Sequence, residues 1–173
     1  LRLIIAFLRG YFGKKLDMSD TLVRTLRVWP GDLDINRHLN NGRYTTIIDL
    51  FIIESFLRLD ILFPAFKRGW RPMFGGTIIT FRKPLAPFEK YEVHFRLNGW
   101  DKHWNYMQYE FRKMDGTLAA TGYSKGAFVS KQGLVPNSKV DKTLGIEREA
   151  TELPLAVQQW KMAEHSMMDV LER

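Results

Sequence analysis

The sequence predicts a single α+β domain, and two observations support this. One strand-like segment comes before an apolar, helix-like run at residues 44–62, and four strand-like segments follow it. A buried helix placed before an antiparallel run of strands is an α+β pattern. A chain of 173 residues with 45% hydrophobic and 13% aromatic content is also long and apolar enough to bury one substantial core. The absence of cysteine excludes disulfides, thiolate metal sites and cysteine nucleophiles.

An N-terminal segment, residues 1–19, comes before the predicted domain at residues 20–173. Its first part, LRLIIAFLRGYF, is strongly apolar, and two lysines follow. A membrane-spanning helix needs about 20 apolar residues, whereas this run is shorter and contains Arg9. No small-residue cleavage site of a signal peptide is evident. Two alternatives remain: a helix packed on the domain or a partner subunit, or a peripheral membrane contact through residues 1–15. The expected location is therefore the cytoplasm, either free or at a membrane surface.

The formal charge of +7 favours polyanionic partners, which include nucleic acid, anionic lipid and the phosphates of coenzyme A. No zinc-finger, helix-turn-helix or RNA-recognition signature accompanies the charge, so nucleic acid is not expected as a partner.

The run at residues 44–62 predicts a buried helix. Ile47, Ile48 and Phe51 follow helical spacing, and further apolar residues widen the stripe to most of the circumference. Pro64 and Gly69 then break the pattern.

The remaining elements are predicted from the periodicity of apolar residues and from the proline and small residues within or beside each segment. Alternation and β-forming residues predict strands at residues 22–28, 77–82, 91–98, 104–113 and 118–130. Small residues in the last of these allow close backbone approach. Residues 131–151 are polar and are predicted to be a loop. Pro154 then opens a final helix whose predicted apolar stripe is Ala156, Trp160, Ala163, Met167 and Val170.

A polar block between the first strand and the helix, GDLDINRHLNNGRY at residues 31–44, is the strongest functional signal. On an extended segment Asp34, Asn36 and His38 would point to one side. A carboxylate, an amide and an imidazole placed together can form a general acid–base site. Unpaired N–H groups at the start of the following helix favour a negatively charged atom. The alternative is that these residues only form a turn and cap the helix.

The pattern D-x-D-x-N-x-H-x-N-N-x-x-Y, from Asp32 to Tyr44, resembles the signature of hotdog-fold acyl-thioester hydrolases. It is most similar to acyl-CoA thioesterases of the hydroxybenzoyl-CoA thioesterase superfamily and to the plant fatty-acyl carrier-protein thioesterases. Residues 79–85, 87–89, 97–101 and 152–160 resemble a thioesterase-like subgroup that includes thioesterase superfamily member six. The resemblance covers roughly residues 20–172. It implies an antiparallel sheet wrapped around the long central helix, with an added C-terminal helix.

The resemblance also implies roles for individual residues. Asp34 would be the catalytic carboxylate, which attacks the thioester carbonyl or activates a water molecule. Asn36 and His38 would organise that carboxylate and the water. Backbone N–H groups around Gly42, Arg43 and Tyr44 would polarise the thioester oxygen. The implied substrate is an acyl or aryl thioester of coenzyme A or acyl carrier protein, hydrolysed to acid and thiol without a metal or another cofactor.

Some features depart from the family pattern and leave alternatives open. The plant enzymes carry a further glutamate or cysteine where residues 81–85 offer no acid. Asp49 and Glu54 on the predicted helix are candidate replacements, whereas Asp32 is interpreted as a turn or cap residue. One rival function is enoyl-thioester hydration, although the G-D-x-N-P-x-H pattern of those enzymes is one residue longer and has proline where Arg37 stands. Another is a non-catalytic acyl-thioester-binding hotdog protein associated with the membrane surface.

The expected assembly is a homodimer or a dimer of dimers, with each active site built from two chains. A single curved sheet leaves edge strands that proteins usually cover or pair. The strands at 104–111 and 118–130 could bury such an edge, or a face, against the second copy.

Overall fold

The fold is built on a curved antiparallel sheet and a long central helix, with further helices around them. The computed structural model describes residues 1–148 and 152–171. The helices are α1 (Arg2–Phe12), α2 (Asn41–Arg58), α3 (Leu62–Lys67), α4 (Asn137–Leu144) and α5 (Leu155–Leu171). The strands are β1 (Leu22–Arg27), β2 (Arg71–Phe81), β3 (Lys90–Trp100), β4 (Asn105–Lys113), β5 (Leu118–Ser130) and β6 (Gly133–Leu134).

The sheet has the order β1-β3-β4-β5-β2, and the short β6 pairs with β5. Neighbouring strands are antiparallel throughout. The close strand approach predicted for β5 is confirmed at Gly122, where a Cβ atom would lie 2.1 Å from the carbonyl oxygen of Ile78. The predicted α+β class and the predicted strand positions are therefore confirmed, with β2 extending further towards the N-terminus than expected.

The main core lies between α2 and the inner face of the sheet. Ile47 and Phe51 of α2 pack in one buried cluster with Phe95, Tyr109 and Phe111 of the sheet. The alternation predicted for β3 and β4 is confirmed, because their inward positions are buried and β3's polar positions are not. A sheet curved around one buried helix is the arrangement implied by the family resemblance.

The N-terminal segment forms α1, which packs against α2 rather than extending away from the domain. Its buried residues are Ala6 and Gly10. A Cβ atom on Gly10 would lie 2.7 Å from Leu57 of α2, so the glycine permits the close helix contact. Of the two alternatives for this segment, packing on the domain is therefore observed, and the membrane contact stays a prediction. Within residues 1–148 and 152–171, no helix combines the length and apolar character that crossing a membrane requires.

Two predictions for the C-terminal third are wrong in whole or in part. The polar stretch at 131–151 is not a plain loop, because β6 and α4 form within its described part, while residues 149–151 lie outside the described residues. The stripe predicted for α5 is only partly right: Trp160 is buried as predicted, but Val157 is buried as well, whereas Ala156, Ala163 and Met167 are exposed. The cause is that α5 covers Tyr106 on the outer face of the sheet, with the Tyr106 and Trp160 rings 6.2 Å apart. The side chain of Val170 lies outside the described residues.

The strands at 104–111 and 118–130 lie inside the sheet, so the prediction that they offer an edge to a second copy is wrong, whereas a contact through their face stays a prediction. β4 pairs with both β3 and β5, and β5 pairs with both β4 and β2. Their backbone groups are used within the chain, and the sheet instead ends at β1 and β2.

Candidate functional site

The polar block forms a tight turn, which we call the Asp34 turn (residues 34–38). The N–H of Asp34 donates to the carbonyl of His38 at 2.9 Å, and the N–H of Arg37 donates to the carbonyl of Asp34 at 3.0 Å. Arg37 has a φ of 59°, in the left-handed region. The expected extended segment is therefore wrong: alternation cannot place the three polar side chains on one side when the backbone reverses within four residues.

The carboxylate of Asp34 is held by the backbone of its own turn. Its Oδ1 atom accepts the N–H of Asn36 at 2.9 Å and the N–H of His38 at 3.2 Å. Asp34 is half-buried, whereas the side chains of Asn36 and His38 are exposed. Among the described residues, no hydrogen bond joins these three side chains and no cation pairs with Asp34. The turn thus presents an oriented carboxylate without a neutralising partner.

Two backbone hydrogen bonds attach the turn to the domain. The N–H of Leu39 donates to the carbonyl of Leu85 at 3.0 Å, and the N–H of Asn40 donates to the carbonyl of Asp32 at 2.8 Å. Leu39 itself is only 2% exposed and belongs to the main core. The exposed turn therefore rests on a rigid base directly before α2.

Asn40 caps the start of α2, a role that the sequence analysis did not assign. Its side-chain oxygen accepts the N–H of Gly42 at 2.8 Å, and its carbonyl accepts the N–H of Arg43 at 2.8 Å. An asparagine at this position is among the preferred N-caps, so the signal was present in the Asn-Asn pair. The N–H groups of Gly42 and Arg43 thus already have acceptors in the free protein.

The side chains of Arg43 and Tyr44 point away from the turn. Arg43 donates to the carbonyl of Gly31 at 2.8 Å. Tyr44 is 2% exposed and packs against Phe81 and Phe111, with ring centroids 5.0 and 4.7 Å away. Burial raises the pKa of Tyr44 to about 12, so its phenol stays neutral. Any role of these residues in polarising a substrate therefore belongs to the backbone at the helix start.

Asp32 lies only two residues before Asp34 but has a different environment. It is buried, accepts two hydrogen bonds from Arg2 at 2.8 and 2.5 Å, and caps the backbone N–H of Trp29 at 3.0 Å. Burial on its own would raise the pKa of Asp32, but the hydrogen bonds from Arg2 and Trp29 outweigh it and hold the pKa below its usual value. The interpretation of Asp32 as a turn and cap residue is confirmed, and its partner on α1 is new.

The two candidate acids on α2 face opposite sides of the helix. Glu54 is 3% exposed and pairs with Arg24 of β1 and with Arg58. Asp49 is exposed, yet the protein around it displaces enough water to raise the pKa of its carboxyl. The carboxylate of Glu54 is therefore used in ion pairs inside the protein, whereas the carboxyl of Asp49 remains accessible to a ligand.

Asp49 lies at the wall of an apolar cavity of about 360 Å³ between α2 and the sheet. Other parts of its lining are Ile52, Ile53, Phe56, Met73, Phe74 and Phe128. Met73 and Phe74 of β2 thus line this cavity, whereas Phe63 and Phe66 of α3 are exposed elsewhere. Among the described residues, no group of three or more histidine, aspartate or glutamate side chains is placed to hold a metal ion.

Known proteins share this sequence pattern and fold. Residues 28–161 match the model of the thioesterase-like superfamily. Protein THEM6 of Xenopus laevis is 27% identical over 136 residues, which are 77% of this chain and 63% of that protein. Thioesterase poxG of Penicillium oxalicum is 27% identical over 96 residues, or 47% of this chain and 32% of that protein. The chain thus spans less than two thirds of the length of either relative.

Solved structures confirm the hotdog fold. The 1,4-dihydroxy-2-naphthoyl-CoA thioesterase of Synechocystis superposes with a TM-score of 0.60 at 15% sequence identity. The superposition covers 72% of this chain and 94% of the other. At this level of identity the likeness concerns the fold alone.

Proposed function

The chain belongs to the thioesterase-like superfamily, and on that premise we propose that it is an acyl-CoA thioester hydrolase with Asp34 as its catalytic carboxylate. The observation that carries the proposal is the Asp34 turn. It holds a carboxylate by two backbone N–H groups, leaves it without a cationic partner among the described residues, and places it immediately before the start of α2. An acid that is fixed but not neutralised can act as a base or a nucleophile.

In the proposed reaction Asp34 removes a proton from a water molecule that attacks the thioester carbonyl; the C–S bond then breaks and the proton passes to the departing thiolate, which gives acid and thiol. In the alternative route Asp34 attacks that carbon itself and displaces the thiolate, and water then hydrolyses the resulting mixed anhydride to free the acid and restore the carboxylate. The developing oxyanion needs preorganised donors, for which the start of α2 supplies backbone N–H groups and a favourable dipole. The N–H of Gly42 is bound by Asn40 in the free protein. Substrate binding would therefore exchange the side-chain oxygen of Asn40 for the thioester oxygen. His38 and Asn36, exposed on the same turn, would orient the water.

The acyl or aryl group would occupy the apolar cavity beside Asp49. Its volume of about 360 Å³ lies within the range of small-molecule sites, roughly 300–1,000 Å³. Asp49 comes seven residues after Gly42, which corresponds to about 10 Å along a helix. A thioester carbonyl at the helix start could thus extend its acyl chain along α2 into the cavity. Whether the thiol carrier is coenzyme A or acyl carrier protein is decided by the substrate assay below.

A second copy is part of this proposal. β2 ends the sheet, and its eleven residues, Arg71–Phe81, include the exposed Phe74 and Phe81. Pairing through β2 would satisfy this edge and would bring a neighbouring chain next to the cavity wall formed by Met73 and Phe74. Light scattering at micromolar concentration tests the assembly. A monomeric mass in a preparation that hydrolyses acyl-CoA would overturn the shared site.

The decisive experiment measures thiol release from acetyl-, octanoyl-, palmitoyl- and benzoyl-CoA, and from an acyl carrier protein thioester. We expect Asp34→Asn to lower turnover of the best substrate by about 10²–10⁴-fold, the usual contribution of general acid–base catalysis. Asp49→Asn is the matched control, because it makes the same change on an accessible carboxyl of the same region. It should retain most of the activity.

Other outcomes would favour the rival functions. Loss of turnover in Asp49→Asn but not in Asp34→Asn would move the chemistry to α2. Formation of a hydroxyacyl-CoA from an enoyl-CoA without thiol release would identify a hydratase. Binding of acyl-CoA with no turnover of any thioester would indicate a non-catalytic binding protein.

A further inference from the structure

α1 is packed with its small residues inward and its large apolar residues outward. Ala6 and Gly10 face α2. The outward side chains include Leu3, Ile4, Phe7, Leu8, Tyr11 and Phe12, all at least 40% exposed. A surface helix of a globular protein normally has the opposite arrangement, because burial of its large apolar side chains stabilises the fold. This helix therefore leaves most of its apolar surface available for another contact.

The short helix α3 continues the same surface. Phe63 is 42% exposed, and its ring lies edge-on to Phe7 and to Tyr11 with centroids 6.4 Å apart in each pair. Phe66, one turn further along α3, is 48% exposed. We call this combined surface the α1/α3 face. Contiguous exposed apolar patches of this kind mark contact sites for proteins or membranes.

The α1/α3 face is held in place by polar contacts at both ends of α1. Arg2 pairs with the buried Asp32. Beyond the other end, Arg58 of α2 donates to the carbonyl of Lys14 at 2.6 Å. The face is therefore preformed on the domain, so that a contact does not require the helix to fold first.

The charge around the face is predominantly basic, although Lys15 pairs with the exposed Asp60 at 2.9 Å. Residues 1–16 and 61–76 contain seven basic side chains and no aspartate or glutamate. Arg9, Lys14 and Lys67 are exposed beside the apolar residues. Such a combination of aromatic and aliphatic side chains with lysine and arginine matches the boundary of an anionic lipid bilayer.

We propose that the α1/α3 face docks on the surface of an anionic phospholipid membrane, with α1 lying in the plane of the interface. A second copy is a poorer occupant, because a two-fold contact through this face would bring two predominantly basic surfaces together. An anionic lipid surface supplies both the apolar environment and the opposite charge.

Vesicle sedimentation of the full chain tests the proposal. We expect the protein to pellet with phosphatidylcholine vesicles that contain phosphatidylserine and to remain in solution with phosphatidylcholine alone. The double variant Ile4→Ser/Leu8→Ser should bind at least about tenfold more weakly, since burial of each aliphatic side chain in an apolar phase is worth a factor of about ten or more. Met162→Ser/Met167→Ser on α5 removes two equally exposed apolar side chains elsewhere and should bind like the unmodified chain.

Reversing the charge of two lysines beside the face tests the electrostatic part of the proposal. Lys14→Glu/Lys67→Glu should weaken binding to the phosphatidylserine vesicles, whereas Lys131→Glu/Lys139→Glu, which alters exposed lysines elsewhere, should have less effect. Circular dichroism and the unfolding midpoint verify that each variant is folded. Failure of the unmodified chain to pellet, or equal loss of binding in the control variants, would overturn the proposal. A dimer that Ile4→Ser/Leu8→Ser converts to a monomer, in a chain that does not bind vesicles, would instead assign the face to a second copy.

Discussion

The acidic residues on and before α2 occupy two different environments, one with arginine partners and one without. The first is an ion-pair layer beneath α1, in which Asp32 and Glu54 are buried against Arg2 and Arg24. The second is the Asp34 turn, where a half-buried carboxylate is bound only by backbone N–H groups among the described residues. A buried carboxylate whose charge is offset by an arginine has a structural role, because loss of either partner leaves the other unpaired. A carboxylate that lacks such a partner keeps its charge available for chemistry.

The largest effect should come from removing one partner of the ion-pair layer. Glu54→Ala leaves Arg24 and Arg58 without their buried counter-ion, and breaking such a pair typically costs about 3–5 kcal/mol. Urea unfolding followed by circular dichroism measures the loss. Asp49→Ala, five residues before Glu54 and on the exposed side of α2, is the control and should change the unfolding free energy little. Equal losses in both variants would remove the distinction between paired and accessible acids on α2.

The sequence predicted the main elements of this structure because their signals are local. The strands that form β1, β3, β4 and β5 have the expected positions, and the apolar run forms α2. The fold type depended on family resemblance, because an α+β pattern allows several sheet topologies. The order of strands, and hence the identity of the edge strand β2, is set by pairing between distant segments.

The errors share a physical cause, since each concerns a contact with another part of the chain. The stripe on α5 was partly misplaced because the helix packs on Tyr106 and Lys125 of the outer sheet face, where Lys125 lies over the Trp160 ring and pairs with Glu164. The polar residues of α4 gave no strong periodic signal, although Val140 is buried.

At the candidate site, the sequence predicted the residue types but not the geometry. Asp34, Asn36 and His38 fall in a turn because Arg37 adopts a left-handed conformation that alternation does not reveal. The partner of Asp32 is thirty residues away in sequence, so no local pattern could identify it. The asparagine that caps α2 was recognisable from its type and position alone.

A smaller loss of stability is expected at Asp32, the other buried carboxylate of the ion-pair layer. Asp32→Asn keeps the shape of the side chain but removes the charge that binds Arg2, which should cost about 1.5–3 kcal/mol, the range of hydrogen bonds to charged groups. Unfolding in urea at neutral pH gives the value, and thiol release normalised to folded protein should stay close to that of the unmodified chain. A stable but inactive Asp32→Asn variant would mean that Asp32 takes part in catalysis and is not a purely structural carboxylate.

The same pair should make stability depend on pH. The pKa of Asp32 is lower in the folded protein than its usual 3.8, so the folded state prefers the ionised form. The stabilisation is complete above the usual aspartate pKa and is lost as the pH falls through the lower, folded pKa. We expect the difference in unfolding free energy between the unmodified chain and Asp32→Asn to be constant at neutral pH and to shrink below about pH 4. A difference that grows towards acidic pH would contradict the ionised pairing.

A smaller effect should follow when the contact between α1 and α2 is disturbed without changing charge. Replacing glycine by alanine within an exposed helix usually stabilises it by up to about 1 kcal/mol. Gly10→Ala should instead destabilise by about 1–3 kcal/mol, the usual cost of overpacking, because the added Cβ atom would lie 2.7 Å from Leu57. Thermal unfolding measures the sign directly. A stabilised Gly10→Ala variant would mean that α1 does not rest closely on α2 and that the ion-pair layer beneath it is open to water.

The smallest effect on stability should come from the residue with the largest proposed effect on activity. Asp34→Asn retains a side-chain oxygen that can accept the N–H groups of Asn36 and His38, so the unfolding free energy should change by only about 0.5 kcal/mol. Asp34→Ala removes that acceptor and should cost about 0.5–2 kcal/mol, as loss of a helix cap does. The two variants separate the charge of Asp34 from its hydrogen bonds, and both should be inactive if the charge performs the chemistry. The same aspartate-to-asparagine change is therefore expected to have opposite consequences two residues apart. It should weaken the fold at Asp32, and at Asp34 it should remove activity from a protein that remains folded.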